Sequence, residues 1–163
     1  MMMINCIGCG GSFADIEGPT HRYMESSPGC WAAYGEVLAR EYSDQVYFQV
    51  HRLTVDAYAV QHPGRPSPQS IQSVAVHLIH LYLILETGFG KQRANDAIKA
   101  AADSRTYTWL TPPPSLGSIT VTDVHKAKNV EEHTQLVRAW AKSAWAAWAP
   151  HHAAIRAWRP EGF

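Results

Sequence analysis

The sequence predicts an all-α fold, a helical bundle of about five to six helices preceded by a knuckle-like N-terminal segment. Two observations carry this. From Pro28 onward apolar residues recur at helical spacing, with capping residues and breakers between the runs. Residues 1–27 are glycine-rich, contain Cys6 and Cys9, and show no periodicity. The 163 residues read as a single domain, 1–163, with a Gly/Cys-rich leader over 1–27 and the helical bundle over 28–163. A chain of this length buries roughly 70% of its unfolded surface and needs no covalent staples to form a core.

Taken in order, Ser26 or Ser27 caps the first helix, Pro28 sits in its first turn, and Trp31, Tyr34, Gly35, Leu38 and Tyr42 form its stripe. Asp44 caps the second helix, whose stripe is Val46, Val50, Leu53, Ala57 and Val60, until QHPGRPSP stops it. So short a turn between the two predicts an antiparallel hairpin. The third helix opens at Ser70 and closes at Gly88; it is apolar almost all round, the mark of a central helix. A shorter helix spans about Gln92 to Ala102, followed by an extended stretch through Trp109 and Pro112–Pro114. SITVTDV reads equally as a strand or a turn. Asn129 caps the last long helix, to about Ala149, and Pro150 begins a final one ending near Trp158.

Composition narrows the partners. Fourteen Lys and Arg balance fourteen Asp and Glu, and no basic stripe appears, so no nucleic-acid partner is expected. There is no export leader and no run of about 18 apolar residues, so no membrane partner is expected and the chain reads as cytoplasmic. In a reducing compartment three cysteines, an odd number, argue against a disulfide framework.

All three lie in CIGCGGSFADIEGPTHRYMESSPGC. Cys6-x2-Cys9 followed by glycine is the spacing at which two thiolates meet one tetrahedral zinc, and Cys30, at a helix N-terminus, is a third donor. Two histidines compete for the fourth position. His21 is local, giving Cys-x2-Cys-x11-His-x8-Cys; His62 lies level with Cys30 if the first two helices are antiparallel, and the hairpin argument favours it. Such a closed set predicts a structural zinc, against incidental free thiols or a redox pair at Cys6 and Cys9.

Within the bundle, His77 and His80 share one stripe of the third helix, and His133 falls on the apolar face of the last long one. Together they form a candidate second metal site; a satisfied core role is the alternative. His51 and Asp56, about 140° apart on one helix, cannot pair there. Asp56 is free to accept from a neighbouring helix or to orient a histidine. No nucleophile elbow, phosphate loop or His-Glu-x-x-His motif occurs. Trp140, Trp145, Trp148 and Trp158 fit core packing better than a stacking surface.

The stretches GPTHRYMESSPGCW, VHRLTVDAYAVQHPG, SIQSVAVHLIHL and WAAWAPHH resemble those of a bacterial family catalogued as domain of unknown function 5946, over nearly the whole chain. The resemblance implies a Cys-x2-Cys-Gly opening, a cysteine before the first long helix and a histidine before a proline, here Cys6, Cys9, Cys30 and His62, and no assigned activity. The expectation is a zinc-binding module for a small molecule or a protein. The alternative is a metal-dependent hydrolase or thiol transferase using the bundle histidines.

Overall fold

The computed structural model describes residues 2–104 and 106–163. It is predominantly helical, with one small sheet. That sheet was not expected: β1 (Met3–Asn5) pairs antiparallel with β2 (Ser12–Ala14), with Ile4 opposite Phe13. Three residues per strand is too short to show period-two patterning, so the hairpin is invisible in the sequence. Buried Phe13 anchors it to the rest of the core.

Helix α1 (Pro28–Ser43) starts as expected, with the Ser27 side chain accepting from the Cys30 amide at 3.2 Å and Pro28 in the first turn. Its buried face is rotated from the expected stripe. Cys30, Tyr34, Val37 and Glu41 are buried, whereas Tyr42 is 67% exposed. The reason is chemical: a thiol and a carboxylate occupy inward positions, and a pattern read from apolar residues alone passes over them.

The helix expected from Asp44 onward is in fact two. Asp44 caps α2 (Gln45–Phe48), but the chain leaves helical geometry at Val50, and α3 (His51–Gln61) restarts in a new direction. Val46 and Val50, four apart, would share a stripe in one continuous helix; here Val46 is 57% exposed and Val50 2%. Nine of the eleven residues of α3 are buried, so this short helix is the innermost of the fold.

Helix α4 (Pro68–Leu85) begins three residues earlier than expected, because Ser67 and Pro68 form the cap and first position. It packs against α3 and against α5 (Lys91–Asp103). SITVTDV resolves into α6 (Val121–His125), opened by a capping box in which Thr120 and Asp123 bond reciprocally. Asn129 caps α7 (Val130–Ala147), and Pro150 lies in a 3-10 turn, Ala149–His151, before α8 (His152–Ala157). No helix among the described residues is long and apolar enough to cross a membrane.

α1 and α3 run antiparallel, as a ladder of contacts shows: Cys30 meets His62, Tyr34 stacks on Tyr58 with ring centroids 3.7 Å apart, and Glu41 meets His51 and Thr54. On the other side α7 packs on α3 and buries Trp140 and Trp148 completely. Both indoles find partners at the end of α3, Trp140 donating to Gln61 Oε1 at 2.8 Å and Trp148 to the Val60 carbonyl at 3.1 Å.

Gln61 is fully buried and spends its amide on three partners: it also donates to the Leu116 and Ile119 carbonyls at 3.0 and 2.7 Å. Removing it leaves the buried Trp140 indole N–H without its partner and frees two half-buried carbonyls. Gln61→Ala is expected to destabilise the fold by about 3 kcal/mol in urea unfolding, with Trp140 fluorescence reporting the change.

Candidate metal centre

The β1–β2 turn carries Cys6 and Cys9, the first turn of α1 carries Cys30, and the residue after α3 is His62. Their donor atoms all lie within 4.8 Å of one another, and among the described residues no other group of three or more metal-ligating side chains does so. Cys6 Sγ is 3.5 Å and Cys30 Sγ 3.4 Å from His62 Nε2, and Cys9 Sγ is 4.0 Å from Cys30 Sγ. These are free thiols, far beyond a disulfide bond length of about 2.05 Å.

These three edges are close to those of a coordination tetrahedron. With metal–sulfur bonds of about 2.3 Å and a metal–nitrogen bond of about 2.05 Å, tetrahedral geometry places sulfur about 3.6 Å from nitrogen and about 3.8 Å from sulfur. The residues therefore fit a single soft divalent ion with four protein ligands.

The surroundings are arranged for the charged, ligating forms. The Gly11 amide donates to Cys9 Sγ and the Ser27 amide to Cys6 Sγ, each at 3.4 Å. His62 Nδ1 donates to the Tyr58 carbonyl at 2.7 Å, which fixes the tautomer and leaves the Nε2 lone pair toward the sulfurs. Burial, and after it the adjoining Cys30, pushes the Tyr58 phenol up, so it keeps its proton and donates to Cys30 Sγ at 3.4 Å. Tyr58 also stacks on His62, centroids 3.9 Å apart, and holds the ring in place.

Without an ion, the three sulfurs oppose one another's ionisation. Hydrogen bonds from the Cys30 and Cys9 thiols, and the nearby His62, hold Cys6 far below the ordinary thiol range against its burial. The Cys30 thiol tends to lower Cys9, yet the thiolate at Cys6 and burial together push it up to about 12. Cys30 is driven up by Cys6, by Cys9 and by burial. One thiolate is thus accommodated and three are not, unless a cation lies between them.

Two glycines make the knuckle possible. Gly10 takes φ +75°, in the region that disfavours side chains. A Cβ on Gly8 would fall 2.4 Å from His62 Cδ2 and 2.6 Å from the Glu25 carbonyl.

The other expected site residues fall elsewhere. His21 does not join the cluster: its Nδ1 accepts from the Tyr23 and Met24 amides, both at 3.2 Å, in a local turn packed against Trp31. The second set is divided between two buried carboxylates. His77 Nδ1 lies 2.8 Å from Asp56 Oδ1, and His80 Nδ1 bonds Asp56 Oδ2. His133 is held by Glu41 Oε2 at 2.8 Å and faces Arg40 through its other nitrogen. The expectation that His133 shares a centre with His77 and His80 is therefore corrected: His77 and His80 share Asp56, His133 is held by Glu41, and among the described residues the three form no common donor group.

Glu41 was not anticipated. It is fully buried, accepts from His133 and Thr54, and lies 2.9 Å from His51 Nδ1. Its one sequence signal is its position seven residues after Tyr34, on the same face of α1. Asp56 is likewise fully buried; burial alone would raise it, but the charges and hydrogen bonds of His80 and His77 hold it below the ordinary carboxylate range.

Because the folded-state value of Asp56 is depressed, its contribution to stability is present above the unfolded value of about 3.9 and is lost as pH falls through the folded one. Acid unfolding followed by tryptophan fluorescence is expected to steepen below about pH 4, and Asp56→Asn to flatten that part of the profile while costing about 3 kcal/mol at neutral pH. Gly8→Ala is expected to displace His62 and to weaken metal retention in a chelator competition, with little change in helical circular dichroism while metal is in excess.

No curated protein and no solved structure matches the chain. A family profile does match, over residues 4–149, and it spans the knuckle, Cys30, His62 and the bundle through α7. With its fold and its donor cluster described, the chain belongs to the family of unknown function DUF5946.

Proposed function

We propose that the protein is a cytoplasmic zinc-binding helical module whose metal is structural, and that the folded module binds a small molecule or a protein partner. The observation that carries the metal reading is the closed Cys3His donor group, with all four donors within 4.8 Å. Four protein ligands leave no position for water or substrate, which is the pattern of a structural site rather than a catalytic one. Three thiolates and one imidazole favour zinc over the hard cations that oxygen ligands select.

The ion's role follows from which segments supply the ligands. The leader hairpin, the start of α1 and the end of α3 are joined at one point. The four donors converge only when these segments are folded together, and the ion neutralises the crowded sulfurs, so metal binding is coupled to folding. The hydrolase or thiol transferase alternative has no comparable donor set among the described residues.

Elemental analysis of the purified protein is expected to find about one zinc per chain. Cys6→Ser and Cys30→Ser are each expected to lose the metal and to lower the unfolding midpoint by about 10 °C or more, on the order of 3 kcal/mol for a domain of this size. A metal-free preparation with unchanged stability overturns the reading.

A further inference from the structure

On the face away from the knuckle, a cleft of about 810 Å³ opens between the start of α3, α4 and α5, with Arg138 of α7 at its edge. Its size is that of a small-molecule site. Three independent features of its lining agree on one kind of ligand.

The first is a pair of buried histidines. His51 and His80 line the cleft and are 8% and 3% exposed. Each gives its Nδ1 to a fully buried carboxylate, His51 to Glu41 and His80 to Asp56. An ionised carboxylate only accepts, so each Nδ1 carries a hydrogen and the ring orientation is fixed. Neither Nε2 has a hydrogen-bond partner among the described residues. Two buried, oriented rings therefore keep a polar atom in reserve, and the cleft is the place where both can use it. Phe48 stacks on His51, centroids 4.6 Å apart, and keeps that ring from rotating away.

The second feature is charge. Arg52, Lys91, Lys99 and Arg138 line the cleft, and no aspartate or glutamate does. In a chain whose acidic and basic residues balance, this is a local concentration of positive charge.

The third is the backbone. The cleft is lined by the first-turn residues of both α3 and α5. Neither helix carries an acidic residue in its first turn, and neither has a side-chain cap, whereas the N-caps of α1, α4, α6 and α7 all accept from the backbone. Two uncapped N-termini bring the positive ends of two helix dipoles, with their unpaired amides, to the same cleft. Leu53, Ile84 and Ile98 supply an apolar wall beside them.

We propose that this cleft is a binding site for a small organic anion, a phosphate monoester or a carboxylate with an apolar body, whose charged end is received by the surrounding cations and by His51 and His80, each ring doubly protonated in the complex so that its Nε2–H donates to the anion. The inference rests on the reading of the protein as a ligand-binding module but not on the metal, whose donors lie outside the cleft.

The test uses the purified full-length protein, with its metal content measured, and three probes: phenyl phosphate, inorganic phosphate and benzyl alcohol. Ring-nitrogen NMR signals of the histidines are followed during titration and assigned by their loss in His51→Gln and His80→Gln. Phenyl phosphate is expected to shift the His51 and His80 signals saturably, with a dissociation constant of about 1 mM or tighter, and to leave His62 unmoved. Inorganic phosphate and benzyl alcohol are each expected to bind at least roughly tenfold more weakly, since each lacks one half of the recognition.

The exposed double variant Arg52→Gln, Lys99→Gln keeps the proposal falsifiable should the histidine variants fail to fold. It is expected to keep the unfolding midpoint and to weaken phenyl phosphate binding about tenfold or more. The proposal is overturned if phenyl phosphate at about 10 mM, some tenfold above the expected constant, moves neither ring. It is equally overturned if benzyl alcohol binds as tightly, or if the double variant binds unchanged. A protein without zinc that still binds phenyl phosphate would defeat the metal reading alone.

Discussion

Three sulfurs and one imidazole nitrogen are confined within 4.8 Å of one another at the meeting point of the leader, α1 and α3. Much of the architecture serves that confinement. The hairpin presents Cys6 and Cys9 on its turn, Ser27 both caps α1 and donates its own amide to Cys6, and Tyr58 holds His62 from below by a carbonyl bond and a ring stack. The same residues that define helix ends thus define the donor geometry. The donor set could bind a metal ion, and the buried Phe13 and Cys6 join the leader to the core of the bundle.

A second constraint operates at the other end of the α1–α3 pair. Glu41 and Asp56 are carboxylates with no exposed surface, and a charge placed there is tolerable only when its oxygens are bonded. His133, His51 and Thr54 satisfy Glu41; His77 and His80 satisfy Asp56. Both acids also act on Tyr34, whose phenol is pushed up first by burial and then by the two carboxylates. Four histidines on three helices, α3, α4 and α7, are therefore oriented by two acids. Four of the nine histidines belong to this network, and two of them, His51 and His80, line the cleft.

How far the residues were legible varies with the physics involved. Caps act over three or four residues, so Asp44 and Asn129 could be read directly and the first cap narrowed to Ser26 or Ser27, of which the structure uses Ser27; the Thr120–Asp123 box was there to be read as well. The break after Phe48 was not, because Val46 and Val50 stand at a spacing that a single helix would accept. The inward face of α1 was misjudged where Cys30 and Glu41 replace apolar side chains. Among the donors, the Cys-x2-Cys spacing is local chemistry, whereas the choice of His62 over His21 depended on how two helices cross.

The sequence by itself determined what local interactions determine: a mostly helical chain, its caps and stops, and a set of soft donors too odd in number for disulfides. Only the tertiary structure decided which imidazole completes the donor set, which acid each histidine meets, and where two uncapped helix starts come together. The reason is that periodicity records solvent contact along one element. The partner of a buried polar group is chosen across elements, by packing that no single stretch of chain encodes.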